Sequence, residues 1–246
     1  GSGKSTLLNV LNGSEVPTSG HVLINGVNIH EDSGKLEGLV GYVPQDDLLI
    51  EDLTVYENLY YAARLCFDRL DTQQLQSLVD DTLTNLGLYS ARDFIVGSPL
   101  RKTISGGQRK RLNIGLELLR EPMVLFVDEP TSGLSSRDSE NIMDLLKELS
   151  LKGKLIFVVI HQPSSEIFKM FDRLMILDLG GFPIYYGSPL DAVLYFREAM
   201  QLIERHEGAC PECGNINPEQ IFDIVENKIV DEYGRETDQR KMTPQT

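Results

Sequence analysis

Short, continuous apolar runs alternate along this chain with longer stretches in which apolar residues recur every three or four positions. Met123-Val124-Leu125-Phe126-Val127 and Leu155-Ile156-Phe157-Val158-Val159-Ile160 are of the first kind and read as buried parallel strands. Leu112 to Leu119 and Ser139 to Leu149 are of the second kind and predict helices on either side of the first strand. That alternation predicts an α/β core built on a mainly parallel sheet. His21 to Ile29 reads as two strands around the turn Asn25-Gly26, and Leu174 to Leu177 and Ile184 to Tyr186 as an antiparallel element divided by Gly180-Gly181. Gly41-Tyr42-Val43-Pro44 closes a further strand, Thr6 to Leu11 predicts a first helix, and Ala192 to Glu204 a last one. From about Thr54 to Leu88 the pattern is mainly helical, with Glu57, Arg64 and Gln73 to Asp81 on exposed faces. This stretch is expected to be a helical subdomain inserted into the core. Residues 1–49 and 105–207 would then form one discontinuous core, 50–104 the insert, and 208–246 an extension whose polar end, Gly234 to Thr246, is not expected to fold.

Charge narrows the choice of partner. The 246 residues hold 23 Lys and Arg against 37 Asp and Glu, a formal charge of −14, which argues against nucleic acid as the main partner. No apolar run reaches the roughly 18 residues that would cross a bilayer. Three cysteines do not make a disulfide framework and fit a reducing compartment. Cys210 and Cys213, four and seven residues after His206, admit a zinc or redox site. With no second such pair to complete four ligands, a structural turn, Cys-Pro-Glu-Cys-Gly, accounts for them better.

Chemistry enters at the first residues. Gly1-Ser2-Gly3-Lys4-Ser5-Thr6 is the tail of the pattern G-x-x-x-x-G-K-[ST], whose first glycine would lie five positions before Gly3, and the sequence is therefore read as a fragment. Glycines there let backbone N–H groups point at phosphate oxygens, Lys4 supplies a cation, and the Ser5 hydroxyl is a ligand for Mg2+. Asp128-Glu129 follows a predicted strand directly, where an α/β sheet exposes its functional groups: the aspartate suits Mg2+ and the glutamate a reacting water. A solvated acidic turn would explain the pair alone, but Gly3-Lys4-Ser5 supplies the other half of one nucleotide site. Ser105-Gly106-Gly107-Gln108 heads a helix and bares N–H groups to an anion. A second phosphate-reading helix in one domain is best explained by a nucleotide held on a second copy.

Ile104-Ser105-Gly106-Gly107-Gln108 resembles the signature motif of ATP-binding cassette (ABC) proteins. Val43-Pro44-Gln45 is similar to that family's Q-loop, Val124 to Glu129 to its Walker B strand, and His161 to its switch histidine. Pro44-Gln45-Asp46-Asp47, Leu53 to Leu59, Arg109-Lys110-Arg111, Ile160-His161-Gln162-Pro163-Ser164, Tyr186-Gly187-Ser188 and Asn217-Pro218 resemble the white (G-type) subfamily. The resemblance implies a P-loop NTPase fold and ATP hydrolysis. ATP would be held by Gly1, Ser2, Gly3, Lys4, Ser5 and Thr6, and Mg2+ by Ser5, Gln45 and Asp128. Glu129 would be the general base, assisted by His161 and Gln45. Ser105, Gly106, Gly107 and Gln108 would close on ATP of a second cassette in a head-to-tail dimer. The resemblance also implies a transmembrane domain in the same polypeptide, a place at the cytoplasmic face of a membrane, and export of a lipid-like or hydrophobic cargo. One departure concerns the D-loop, where the family has Ser-x-Leu-Asp and this chain has Ser132-Gly133-Leu134-Ser135, which bears on coupling between the two sites. A soluble ABC ATPase of ribosomes or DNA, or a nucleotide-gated scaffold without turnover, are the rival readings; acidic charge and an insert of ordinary length oppose the first.

Overall fold

A computed structural model describes residues 2–36, 38–98 and 103–199, together with residue 221, residues 228–230 and residues 236–240. Gly1, His206, Cys210 and Cys213 lie outside the described residues, as does the end of the helix expected over Ala192 to Glu204. The chain divides into two compact units, Ser5–Ile160 and Gly1–Lys4 with His161–Thr246.

The first unit holds a three-stranded parallel sheet of β3 (Val40–Val43), β4 (Val124–Asp128) and β5 (Leu155–Val159), with β4 in the middle. Before it come α1 (Lys4–Leu11) and a hairpin of β1 (Leu23–Ile24) and β2 (Val27–Asn28). Asn25 (φ 51°) and Gly26 (φ 79°) both sit at positive φ, as a two-residue hairpin turn requires. Leu8 of α1 packs with Val124 and Phe126, so this helix covers one face of the sheet. Every residue of β4 is buried. In β5 the expectation of a buried strand fails. Leu155 is 55% and Phe157 39% exposed, because among the described residues β5 is the edge of the sheet and no strand pairs beyond it.

The helical stretch resolves into α2 (Val55–Cys66) and α3 (Thr72–Asn85). Each opens on a reciprocal cap, Thr54 with Glu57 and Asp71 with Gln74, that satisfies two otherwise orphaned N–H groups. Glu57, expected merely on an exposed face, is therefore the cap's return arm, accepting the Thr54 N–H at 2.8 Å. Val55, Leu59, Ala63, Leu75, Val79 and Leu83 form a core with Leu112 of α4 (Gly106–Leu118) and with Leu119, which caps that helix. Opposite faces of α4 thus serve different neighbours: Leu112 faces the helices, while Glu117 reaches the outer edge of β3, its carboxylate accepting the Tyr42 N–H at 3.3 Å. α5 (Ser136–Leu151) follows β4.

In the second unit α6 (Ser165–Lys169) precedes the antiparallel pair β6 (Leu174–Leu177) and β7 (Pro183–Gly187), joined through Gly180 and Gly181 at φ 81° and 80°. α7 (Pro189–Ala199) starts three residues earlier than expected, with proline in its first position and the Ser188 hydroxyl capping the Asp191 N–H. Phe168, Ala192, Val193, Phe196 and Ile221 make this unit's core. The expectation that Gly234 to Thr246 stays unfolded is overturned at β9 (Glu236–Arg240), which pairs antiparallel with β8 (Lys228–Val230). A ribbon is held by main-chain hydrogen bonds, so a polar sequence can form one without burying apolar surface.

Candidate functional site

The register of the sheet aligns its strand ends. Val43 pairs with Val127 and Asp128 with Val159, so the loops leaving β3, β4 and β5 start from one edge. Gln45 lies two residues beyond β3 and Glu129 one beyond β4, while His161, two residues past β5 in the sequence, belongs to the other unit. This is the edge at which an open α/β sheet binds ligands.

Asp128 is only 6% exposed, and its Oδ1 is buried without a hydrogen-bond partner among the described residues. A buried carboxylate oxygen left unpaired is costly and calls for a ligand. It suits a hard cation with oxygen ligands. Among the described residues no three His, Cys, Asp or Glu gather to hold a metal, so such an ion would complete its shell with phosphate oxygens, a hydroxyl and water, as Mg2+ does. Asp128 also raises the Tyr42 pKa, though burial of the phenol contributes more.

Glu129 takes up a left-handed backbone, φ 43°, that non-glycine residues adopt at a cost. Its N–H is fixed to the Val159 carbonyl at 2.9 Å, and its own carbonyl accepts the Ser132 N–H at 3.2 Å. The strained residue is thus held on both sides next to the unpaired aspartate. Ser5 and Thr6 occupy the first turn of α1, after Gly3 at φ 75°. Lys4 donates to the Ser2 hydroxyl at 3.4 Å. His161 belongs to the second unit with Ser2 and Lys4; it is exposed and precedes Gln162, also left-handed at φ 47°.

Ser105 caps α4. Its hydroxyl accepts the Gln108 N–H at 3.1 Å, and the Gln108 side chain returns to the Ser105 N–H at 2.8 Å. Gln108 is therefore engaged in building the helix tip. Gly106 and Gly107 are demanded by packing as well as by open N–H groups: a Cβ on Gly106 would meet Leu134 at 3.0 Å and one on Gly107 would meet Asp138 Oδ1 at 2.5 Å.

Sequence reasoning missed the residues that hold the Gln45 loop. Lys110 and Arg109, each 6% exposed, and Asn113, 2% exposed, turn from α4 toward it. Lys110 Nζ donates to the carbonyls of Gln45 (2.7 Å) and Pro44 (3.3 Å), Arg109 Nε to Asp47 (3.1 Å), and Asn113 accepts the Leu48 N–H at 3.1 Å. Burial pushes the Lys110 pKa down, while Asp47, Asp46 and Asp128 act in the opposite sense. The available signal was a pair of cations at the start of a helix whose partner acids, Asp46-Asp47, stand some sixty positions earlier.

Fold and strand-end geometry define a nucleotide-binding α/β protein of the P-loop type. A family model described as ABC transporter matches residues 1–132, more than half of the chain, and one described as ABC-2 type transporter matches residues 161–244. The chain belongs to the ABC transporter family. It is 38% identical to ABC transporter G family member 14 of Arabidopsis thaliana over 246 residues, covering 95% of this chain and 37% of that protein. It is 40% identical to Protein white of Drosophila melanogaster over 230 residues (90% and 32%), and 42% identical to the ABC-type transporter claG of Penicillium crustosum over 201 residues (81% and 26%). The chain thus spans about a quarter to somewhat over a third of these relatives. No helix among the described residues is long and apolar enough to cross a membrane.

Proposed function

We propose that this chain is the ATP-binding and ATP-hydrolysing part of an ABC transporter whose transmembrane domain follows in the same polypeptide. The observation that carries the reading is the buried, unpartnered Asp128 oxygen beside a left-handed Glu129 at the end of β4. The match of residues 161–244 to an ABC-2 type transporter model, and relatives about three times longer, support the fused membrane part. The core would comprise 1–49 and 105–207, the helical insert 50–104, and the connection toward the membrane 208–246. The nucleotide part would lie at the cytoplasmic face.

In this reading Gly1, Ser2, Gly3, Lys4, Ser5 and Thr6 bind the phosphates of ATP, with the Lys4 ammonium and backbone N–H groups neutralising their charge. Ser5, Gln45 and Asp128 would hold Mg2+, which when bound offsets charge on the β- and γ-phosphate oxygens. Glu129 takes a proton from water as the water oxygen bonds to the γ-phosphorus and the bond to the β-phosphate oxygen breaks, giving ADP and phosphate. His161 contacts the γ-phosphate and helps orient that water. Ser105, Gly106, Gly107 and Gln108 present the α4 tip to ATP on a second cassette, two copies sandwiching two nucleotides head-to-tail. The lipid-like or hydrophobic character of the cargo follows from the subfamily resemblance.

Glu129→Gln in the complete polypeptide tests this reading. ATP binding should persist while turnover falls at least about 100-fold; turnover at the native rate would refute the base assignment.

A further inference from the structure

The loop from Pro44 to Ile50 leaves the sheet carrying Gln45, and side chains of two helices replace the ladder it has left. Lys110 takes two successive carbonyls, Pro44 and Gln45. Arg109 takes the Asp47 carboxylate and also donates to the carbonyls of Val96 and Gly97. Asn113 takes the Leu48 N–H, and Asn58 of α2 both accepts the Ile50 N–H (2.8 Å) and donates to the Ile50 carbonyl (3.1 Å). The Gln45 side chain itself is exposed. A pinned main chain under a free side chain is what a group needs if it must meet a ligand at a set point.

Burying an ammonium is expensive, and two carbonyl acceptors and a nearby carboxylate at 3.9 Å offset that cost only when the geometry is kept. Lys110 is also five residues from Ser105, inside the first two turns of the helix that Ser105 caps. The tip of α4 and the anchor of Gln45 are therefore one rigid piece. A displacement of the tip has to carry the Gln45 main chain with it or break hydrogen bonds to a buried cation.

We propose that Lys110, with the Arg109–Asp47 pair beside it, is a positioning residue that makes Gln45 follow the Ser105–Gly107 tip. In the dimer proposed above, on which this inference rests, the tip would close on the partner's nucleotide while Gln45 serves its own. Closure on one ATP would thereby set the loop of the other. Lys110 acts through Gln45 and need not touch nucleotide.

The test uses the complete polypeptide, with ATP turnover, KM for ATP and binding of a fluorescent ATP analogue measured for Lys110→Met, Lys110→Arg, Gln45→Ala and Lys110→Met/Gln45→Ala. Lys110→Met should lower kcat about tenfold and leave analogue affinity within about twofold, and Lys110→Arg should recover most of the loss. The double variant should turn over no more slowly than Gln45→Ala alone, since the two residues act in series. Independent, multiplying losses, or a weakened affinity with kcat kept, would overturn the proposal. Should Lys110→Met fail to fold, Asp47→Asn loosens the same loop from a partly exposed position. It should lower kcat about threefold and show the same dependence on Gln45, and an effect unchanged by Gln45→Ala would refute the link. Absence of turnover in the native protein would instead refute the ATPase reading, a result these variants cannot mimic.

Discussion

Gly107 and Asp138 touch so closely that no side chain fits between them: a Cβ on the glycine would stand 2.5 Å from Oδ1 and 2.8 Å from Cγ of the aspartate. Asp138 cannot easily retreat, because its N–H and its carboxylate both bond the Ser135 hydroxyl, at 3.2 and 2.9 Å. Gly107→Ala should therefore prise the start of α4 from the start of α5 and lower ATP turnover about tenfold or more. Asp138→Ala in the same chain removes the two nearest atoms and leaves only a Cβ at 3.1 Å, so much of the loss should return. Comparing turnover of the single and double variants checks this, and an unrecovered double variant would show that the glycine matters for some other reason.

Asp128 is a case where function and stability oppose one another. Its unpaired buried oxygen costs free energy in the nucleotide-free protein, and Asp128→Asn removes the charge while keeping the shape. The variant should unfold roughly 2–4 °C higher without nucleotide and lose ATP turnover at least about 100-fold. Thermal unfolding and turnover on one preparation decide the matter, and a lowered midpoint would mean that the oxygen has a partner in solution.

Glu117 carries a pH signature. Burial raises its pKa above the ordinary carboxylate value, more than the Tyr42 N–H it accepts lowers it. The folded protein thus holds a proton more readily than the unfolded one; the associated stability is full below the unfolded pKa and is lost as pH rises through the folded value. Glu117→Gln keeps an acceptor for Tyr42 and drops the charge. Because the group is half-buried and partly screened, the gain should be small: a midpoint about 2 °C higher at pH 7.5. The advantage should shrink as pH falls toward 4.5, and a difference independent of pH would contradict the assignment.

Asn58 is 5% exposed and makes three hydrogen bonds, two to Ile50 and one to the Thr54 carbonyl. Asn58→Ala leaves the Ile50 N–H unpaired, while the Ile50 and Thr54 carbonyls keep the main-chain N–H groups of Leu53 and residue 58, at a cost of about 1 to 2 kcal/mol. Chemical denaturation monitored in the helical insert should show it; a change below about 0.5 kcal/mol would mean that water replaces the amide.

The strand ends were legible because a five-residue apolar run closing on Asp128-Glu129 has few other interpretations, and the Asn25-Gly26 hairpin because two positive φ values need such residues. The helical stretch was legible as helix, whereas its division at Asp71 rested on cap chemistry that the apolar period does not report. Lys110 and Arg109 escaped because charge ordinarily signals a solvated face, and their acidic and carbonyl partners lie far away in the chain. The edge position of β5 escaped because an apolar run looks alike whether one or both of its sides are paired. The strand over Glu236–Arg240 left no apolar trace at all.

The outer side of β5 has a practical bearing on handling. Among the described residues no strand pairs with it, so an extended segment from elsewhere in the complete polypeptide, or from another molecule, can add there beside Leu155 and Phe157. Preparations that lack such a covering segment should self-associate as concentration rises. A charge introduced at Leu155, such as Leu155→Lys, offers a direct route to monodisperse samples.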